Sequence, residues 1–225
     1  MSNTMQTGTL YIVSTPIGNL SDMTLRAIET LKSVDLIACE DTRHSRILLD
    51  RYGIAVPTIS YFEYNKVQRT DSLLKSLGEG KNIALISDAG TPGISDPGST
   101  IIRSCIDRGI PVTAVPGPSA LLVALVISGK KTHAFTIEGF LSPKPGTRKN
   151  RLERLKKEGR TAILYESPHR LVKLLEDIDR VYGDIEVVCC RELTKKFEEI
   201  RRGPVRGLIA SFRSQKPRGE FIVII

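Results

Sequence analysis

A loop rich in glycine, proline and aspartate follows an apolar run near the middle of the chain. The apolar run is Ile83–Ile86, and residues 87–98 contain three glycines, two prolines and two aspartates. The run predicts a buried strand. Glycine lets a backbone approach a ligand closely, and aspartate offers a charged acceptor. We therefore interpret the segment as a ligand-binding loop at the end of a strand rather than as a structural connection.

The residues of this loop restrict what it can bind. It has no G-x-G-x-x-G pattern, which argues against a nicotinamide or flavin nucleotide. Gly93 and Gly98 have the spacing of a phosphate-binding loop, but Ser99 follows where that motif requires lysine. Asp88 and Asp96 would also repel a triphosphate. The loop therefore favours a neutral or cationic ligand.

The composition by itself is compatible with an anionic partner and equally with a basic surface that serves only solubility. The 225 residues carry a formal net charge of +8, which makes nucleic acid the leading candidate for such a partner. The four cysteines form no C-x-x-C pair and the three histidines no metal-binding pair, so we expect reduced core thiols and no metal. No apolar run approaches the roughly 20 residues of a membrane span, and no signal segment begins the sequence. These patterns predict a soluble, cytoplasmic protein.

Strands and helices alternate five times up to Ser128, which predicts a parallel sheet with helices on both faces. The unusual loops all follow strands, so they share the carboxyl edge of the sheet, where ligands bind in such folds. We predict a helix capped by Ser21 that buries Leu25, Ile28 and Leu31. The predicted strands are 9–14, 34–39, 58–62, 83–86 and 111–115, and their loops are 15–19, 40–44, 63–65, 87–98 and 116–120.

The pattern changes after the polar break at residues 129–133, which predicts a domain boundary. We assign residues 1–128 to an N-terminal α/β domain and residues 129–225 to a mixed-sheet α/β domain. In the latter we predict strands at 135–140, 162–165, 185–190 and 221–225, and helices near 148–157, 168–181 and 204–213.

Basic residues concentrate in the second half, where they could follow a phosphate backbone. A lone run of this kind is usually a solvated helix face, but two runs in one half favour RNA or DNA. They are Lys144, Arg148, Lys149, Arg151, Arg154, Lys156, Lys157 and Arg160, and then Lys195, Lys196, Arg201, Arg202 and Arg206.

Five motifs occur in the order found in one known family. They are Val13–Leu20 (VSTPIGNL), Glu40–Arg43 (EDTR), Ser87–Gly98 (SDAGTPGISDPG), Pro116–Ala120 (PGPSA) and Tyr165–Arg170 (YESPHR). The chain resembles the bacterial 16S ribosomal RNA cytidine 2′-O-methyltransferase I group, a branch of the tetrapyrrole (corrin/porphyrin) methylase superfamily. The similarity runs from about Thr9 to the last residue.

The resemblance implies two α/β domains, a homodimer, and S-adenosylmethionine bound between the domains. It also implies methylation of the ribose 2′-hydroxyl of a cytidine in the decoding region of the small ribosomal subunit. A cationic sulfonium suits a loop that carries Asp88 rather than lysine. The residues implied for the cofactor are Pro16, Asp88, Ala89, Gly90, Thr91, Ser119 and Ala120, with Tyr165 and Leu193 from the second domain.

Methyl transfer to a hydroxyl needs in-line positioning and an acceptor for the proton. The candidates for that acceptor are Asp41, Glu63, Glu166 and Lys195, the last only if a cleft lowers its pKa. Two structural alternatives remain: Asp41 as a helix cap, and Glu166 in an ion pair with Arg170. Arg43 and Arg170 are candidates for phosphate contacts, and Arg148, Lys149 and Arg151 for RNA binding. We expect Asp41→Ala and Glu63→Ala to reduce turnover more than cofactor affinity.

The sequence departs from the group at three places. Tyr64 stands where the group usually has histidine, residues 130–133 differ from the usual approach to the next strand, and a small helical C-terminal domain does not follow Ile225. The last departure bears on docking to the ribosome. Two other functions stay open at this point: carbon methylation of an anionic tetrapyrrole, and RNA binding without catalysis.

Overall fold

The computed structural model describes residues 7–94 and 98–225. It forms two compact units that divide between Ser119 and Ala120. The sequence-based boundary lies one helix later, because the helix Ala120–Ser128 packs against the last strand of the second unit. Ser95–Pro97, which include Asp96 of the predicted ligand loop, lie outside the described residues.

The first unit is the alternating α/β arrangement that the sequence predicts. Its elements are β1 (Leu10–Val13), a short 3-10 helix (Leu20–Asp22), α1 (Leu25–Ser33), β2 (Leu36–Cys39), α2 (Thr42–Arg51), β3 (Thr58–Ser60), α3 (Lys66–Gly78), β4 (Ile83–Ile86), α4 (Ser99–Asp107) and β5 (Val112–Val115). The five strands pair in parallel in the order β3-β2-β4-β1-β5.

Helices cover both faces of this sheet, as predicted. Ala84 and Ile86 of β4 pack with side chains of α1 and α2. Ile83 and Leu85 of the same strand point to the other face and pack with α3 and α4. All four residues are buried, which explains why this central strand is a continuous apolar run rather than an alternating one.

The predicted start of α1 is wrong. Thr24 caps the helix, and its hydroxyl accepts a hydrogen bond from the Ala27 N–H at 3.1 Å, while Ser21 lies in the preceding 3-10 turn. Ala27 and Leu31 form the buried stripe, and Leu25 is 79% exposed. With 3.6 residues per turn, Leu25 projects from the side opposite Ala27.

The second unit carries a mixed sheet, also as predicted. Its elements are α5 (Ala120–Ser128), β6 (Phe135–Phe140), α6 (Pro145–Glu158), β7 (Thr161–Glu166), α7 (Leu171–Tyr182), β8 (Glu186–Arg191), β9 (Glu199–Pro204), α8 (Val205–Ser214) and β10 (Phe221–Ile224). The strand order is β6-β7-β10-β8-β9, with β6 and β7 parallel and the other pairs antiparallel.

The sequence analysis missed β9. The segment is charged and ends in Gly-Pro, and it forms the edge of the sheet beside β8. Charged side chains are common on edge strands because they oppose pairing with another chain. The segment therefore lacks the alternation of apolar and polar residues that predicts a strand. The prediction for the cysteines is confirmed: all four are buried and free.

Candidate functional site

The loops after β1 and β4 are joined by hydrogen bonds. Thr15 and Gly90 exchange both backbone hydrogen bonds, at 2.9 and 3.1 Å. The Thr15 hydroxyl donates to the carbonyl of Ser87 at 3.0 Å, and the hydroxyl oxygens of Ser14 and Thr91 lie 2.9 Å apart. These contacts hold the two loops in one arrangement at the carboxyl edge of the sheet.

The connections that leave the neighbouring strands β1 and β4 run to opposite sides of the sheet. From β1 the chain crosses to β2 on one side, and from β4 it crosses to β5 on the other. The two connecting helices, α1 and α4, pack on opposite faces. Open parallel sheets bind their ligands outside the carboxyl ends of the strands at such topological switch points.

The loop after β5 joins the same cluster. A Cβ at Gly117 would lie 3.0 Å from the Cβ of Ser14, so the backbones of the two loops are in close contact. Gly90 has φ +78°, and a Cβ there would lie 3.6 Å from Ile17 and 3.9 Å from the carbonyl of Pro118. The structure thus brings together the loops that carry six of the predicted cofactor residues: Pro16, Asp88, Ala89, Gly90, Thr91 and Ser119.

Asp88 connects this cluster to the loop after β2. Its Oδ1 accepts a hydrogen bond from the Asp41 N–H at 3.2 Å. Glu40, the first residue after β2, is half-buried beside Asp88. Burial raises the pKa of Glu40, the Asp88 charge raises it further, and the backbone N–H of Asp88 opposes the rise. Within the described residues, Glu40 forms no ion pair.

Glu40 is a candidate site residue that the sequence analysis passed over. It stands in the same motif as Asp41, and its position directly after a buried strand was the available signal. Its chemistry differs from that of its neighbour. A carboxylate with a raised pKa and no cation beside it is a better proton acceptor than one paired with arginine.

Asp41 is the N-cap of α2, which is the structural alternative stated above. Its Oδ1 accepts from the Arg43 N–H at 2.8 Å, and its Oδ2 lies 2.9 Å from Nη2 of the same residue. The hydrogen bonds from Arg43 lower the pKa of Asp41 to about 2. A carboxylate of that acidity is a weak base at neutral pH.

We expect Asp41→Asn to keep turnover close to that of the wild type. Asparagine retains a side-chain oxygen for the cap but carries no charge, whereas Asp41→Ala removes the cap and loosens the loop that carries Glu40. Steady-state kcat and Tm of the two variants test this. A large fall in kcat for Asp41→Asn at an unchanged Tm would restore Asp41 as the proton acceptor.

Two other predicted proton acceptors are engaged in ion pairs. Glu63 pairs with Lys66 on the surface, three residues along the chain. The carboxyl of Glu166 is fully buried, lies 3.3 Å from Nη2 of Arg170 and accepts from the Ser167 N–H at 2.8 Å. Burial raises the pKa of Glu166. Its pairing with Arg170 is the structural alternative stated above.

Lys195 was a candidate only if a cleft lowers its pKa, and the structure does not meet that condition. Burial acts to lower the pKa of this ammonium, but Glu220 and Glu192 lie 2.7 and 3.2 Å from Nζ and hold the pKa above its usual value. Lys195 therefore stays protonated and cannot accept a proton. The sequence shows a lysine at this position, but it does not show that two carboxylates lie within 3.2 Å of its Nζ.

The three predicted cofactor residues of the second unit stay predictions. Ala120 begins α5, and Tyr165 lies in β7 with its ring 5.7 Å from that of Phe140. Leu193 is buried between Glu192 and Thr194, which have positive φ values of 48° and 67°. Left-handed backbone at non-glycine residues persists only where surrounding contacts enforce it.

One predicted RNA-binding residue lies in the core. The side chain of Arg148 is 2% exposed and forms an ion pair with Asp177, with Nε 2.6 Å from Oδ2. We therefore exclude Arg148 from the RNA surface, because its guanidinium cannot reach a phosphate. The sequence pattern of α6 counted it among the exposed charges, since burial of a paired arginine leaves no signal in charge spacing.

The other predicted RNA contacts remain at least partly accessible. Arg43 and Lys149 are largely exposed, each with one acidic neighbour. Arg151 is bound by Glu138 through two nitrogens, and Arg170 by Glu166. Arg43 is the only one of the four in the first unit, where it stands beside the loop cluster.

The described residues contain neither a cluster of metal ligands nor a membrane-spanning helix. No group of three or more His, Cys, Asp or Glu side chains there could hold a metal ion. No helix there is long and apolar enough to cross a membrane.

Solved structures with the same architecture include a methyltransferase and a synthase. A cobalt-precorrin-4 methyltransferase of cobalamin biosynthesis matches with a TM-score of 0.72 at 18% identity, covering 96% of this chain and 93% of that one. A diphthine synthase matches with a TM-score of 0.75 at 13% identity, covering 96% and 89%. At this identity the likeness shows the fold alone, which is one that these proteins share.

Sequence comparison identifies the family to which the chain belongs. The family model for tetrapyrrole (corrin/porphyrin) methylases matches residues 9–209. Ribosomal RNA small subunit methyltransferase I of Synechocystis is 50% identical over 97% of this chain and 78% of its own length. The Thermotoga maritima protein of the same name is 47% identical over 97% and 98%. The chain belongs to the tetrapyrrole methylase family, in its ribosomal RNA small subunit methyltransferase I group.

Proposed function

We propose that this protein is an S-adenosylmethionine-dependent methyltransferase that modifies 16S ribosomal RNA. Its acceptor is the ribose 2′-hydroxyl of a cytidine in the decoding region. The observation that carries the proposal is the identity of 47–50% to relatives named ribosomal RNA small subunit methyltransferase I, over 97% of the chain. The ordered loop cluster at the topological switch point of the sheet supports a working ligand site.

The side chains of the first unit fit this cofactor. The loops after β2 and β4 present the carboxylates of Glu40 and Asp88 and several close backbone segments. Such a surface repels phosphate and attracts a sulfonium cation. The bound cofactor supplies an electrophilic methyl group. Asp88 contributes negative charge, and the backbone of residues 88–91 contributes polar groups at close range.

We assign the proton acceptor to Glu40. The Glu40 carboxylate would accept the proton of the ribose 2′-hydroxyl while the hydroxyl oxygen gains the methyl group, and the sulfur–methyl bond that breaks would leave a neutral thioether. Asp88 raises the basicity of Glu40 and holds the Asp41 backbone through a hydrogen bond. Transfer itself depends on holding oxygen, methyl carbon and sulfur in line.

The proposal extends to the partners and the compartment. The enzyme methylates the RNA within the small ribosomal subunit, acts as a homodimer, and works in the cytoplasm. Exposed cations support RNA binding: Arg43 in the first unit, and Lys149 with part of Arg151 and Arg170 in the second. Sedimentation of the purified protein tests the dimer, and a monomer at micromolar concentration would contradict it.

The function is tested by transfer of labelled methyl from S-adenosylmethionine. The acceptors are unmethylated small ribosomal subunits, naked 16S RNA and precorrin-type tetrapyrroles, each assayed with and without excess S-adenosylhomocysteine. We expect label in one cytidine ribose, mapped by digestion, and its loss with the inhibitor. Label in tetrapyrrole, or bound cofactor without transfer to any RNA, would contradict the proposal.

A further inference from the structure

The loop after β3 is a closed turn with Tyr64 at its tip. The backbone N–H of Asn65 donates to the carbonyl of Phe62 at 3.1 Å, and Asn65 Oδ1 accepts from the Phe62 N–H at 2.8 Å. The amide nitrogen of Asn65 also donates to the Ser60 carbonyl at 3.1 Å. Glu63 and Tyr64 thus occupy the two central positions of a turn that is tied back to its own strand.

The ring of Tyr64 is presented to solvent. It is 94% exposed, more than any other large apolar side chain in the described part of the chain. The Phe62 ring lies edge-on to it, with centroids 6.3 Å apart and planes at 66°. The hydrogen bonds of the turn hold the backbone that presents this ring, and its exposed face is available to stack on a planar group.

The turn leaves the sheet beside the proposed reaction site. Cys39 of β2 is paired with Ser60 of β3, and the Tyr61 N–H donates to the Cys39 carbonyl at 2.8 Å. Neighbouring strands lie about 4.8 Å apart, so the Tyr64 turn emerges next to the loop that carries Glu40. The guanidinium of Arg43, 91% exposed and paired with Asp41, stands in the first turn of α2, which begins directly after that loop.

We propose that Tyr64 stacks on a base of the RNA substrate next to the methylated cytidine, and that it positions the target ribose. The proposal rests on the proposed function and deepens it, because it names the residue that recognises unstacked RNA. Bases of single-stranded RNA are commonly bound by stacking on aromatic side chains, with cations on the adjoining phosphates. Tyr64 supplies the ring and Arg43 the cation.

A protein partner fits this surface less well. Among residues 63–68, the exposed apolar side chains are Tyr64 and Val67, Glu63 and Gln68 are exposed and polar, and Lys66 is partly exposed. Two apolar side chains are too few for the core of a protein interface. One aromatic ring matches the area of one base. An RNA partner and a protein partner can be distinguished at Val67, because only a protein interface would contact that side chain.

Fluorescence tests the contact without reference to activity. The chain contains no tryptophan, so Tyr64→Trp introduces a single indole at the tip of the turn. We expect its emission to be quenched on titration with a single-stranded oligoribonucleotide of the decoding region, and to stay unchanged with the same volume of buffer. A Val67→Trp variant, three residues along, is the matched control and should respond weakly. Equal responses of the two variants, or no quenching of Tyr64→Trp, would overturn the proposal.

Steady-state kinetics of variants distinguish a role of Tyr64 in base stacking from a role in folding. We expect Tyr64→Ala to raise KM for RNA roughly 5- to 100-fold, the effect of losing one stacked base, with an unchanged Kd for S-adenosylmethionine. Tyr64→Phe keeps the ring and should restore KM, and Val67→Ala should leave it unchanged. An unchanged KM in Tyr64→Ala, or an equal loss in Val67→Ala, would overturn the role of Tyr64. A wild-type protein that methylates no RNA would instead contradict the proposed function, and the fluorescence titration reports on Tyr64 in that case also.

Discussion

Replacing Glu40 with glutamine is expected to lower kcat for RNA methylation roughly 10²- to 10⁴-fold, the usual contribution of general base catalysis. The amide has nearly the same shape but cannot accept the proton of the ribose hydroxyl. Cofactor binding should change little, because Asp88 remains in place to attract the sulfonium. Single-turnover rates and equilibrium binding of S-adenosylmethionine measure the two quantities separately.

The pH dependence of the wild type should report the same group. A base acts in its deprotonated form, so kcat/KM is expected to rise with pH through the pKa of Glu40, which burial and the Asp88 charge hold above its usual value. Asp88→Asn removes one of those causes. It should therefore lower the pKa of Glu40 and move the acidic limb of the profile to lower pH.

Glu63→Gln is the matched control for Glu40→Gln. Glu63 is also a glutamate that follows a strand of the same sheet, but it is exposed and paired with Lys66. We expect its turnover to stay close to that of the wild type. Wild-type turnover in Glu40→Gln, or an acidic limb that does not move in Asp88→Asn, would remove Glu40 from the mechanism.

Replacing Asp177 with alanine is expected to lower the free energy of unfolding by about 3–5 kcal/mol, the cost of leaving one member of a buried ion pair without its partner. The side chains of Arg148 and Asp177 are 2% and 5% exposed, so water cannot take the place of the lost carboxylate. Two backbone carbonyls at 3.3 Å from Nη1 would be the remaining acceptors for the guanidinium. Urea unfolding followed by circular dichroism measures the loss.

Glu176→Ala is the control for this prediction, since the residue adjoins Asp177 on α7 and pairs with Arg213 and Arg180, both largely exposed. Exposed pairs contribute at most about 1 kcal/mol, so this variant should unfold nearly as the wild type does. The double variant Arg148→Met with Asp177→Leu should recover most of the loss, because an apolar pair of similar volume needs no counter-charge. Equal losses in Asp177→Ala and Glu176→Ala would show that burial of the pair does not carry the effect.

The sequence by itself determined the architecture of the first unit. Runs such as Ile83–Ile86, each followed by a polar loop and an amphipathic segment, encode the periodicity of a parallel sheet with helices on both faces. It also predicted which loops carry ligand residues, because Gly, Pro and Asp after a strand are a local signal. The order of five motifs predicted the family, and the comparisons confirm it.

Only the tertiary structure decided what the charged residues do. Arg148 and Lys149 are neighbours in sequence and look alike in a charge count, but one is buried against Asp177 and the other is exposed. Lys195 is held protonated by Glu192 and Glu220, the latter distant in the chain. Burial raises the pKa of Glu40, and the charge of Asp88, in the loop after β4, raises it further. The physical reason is common to all three: protonation and accessibility depend on burial and on charges within a few ångströms, and the fold, not the local sequence, brings those neighbours together.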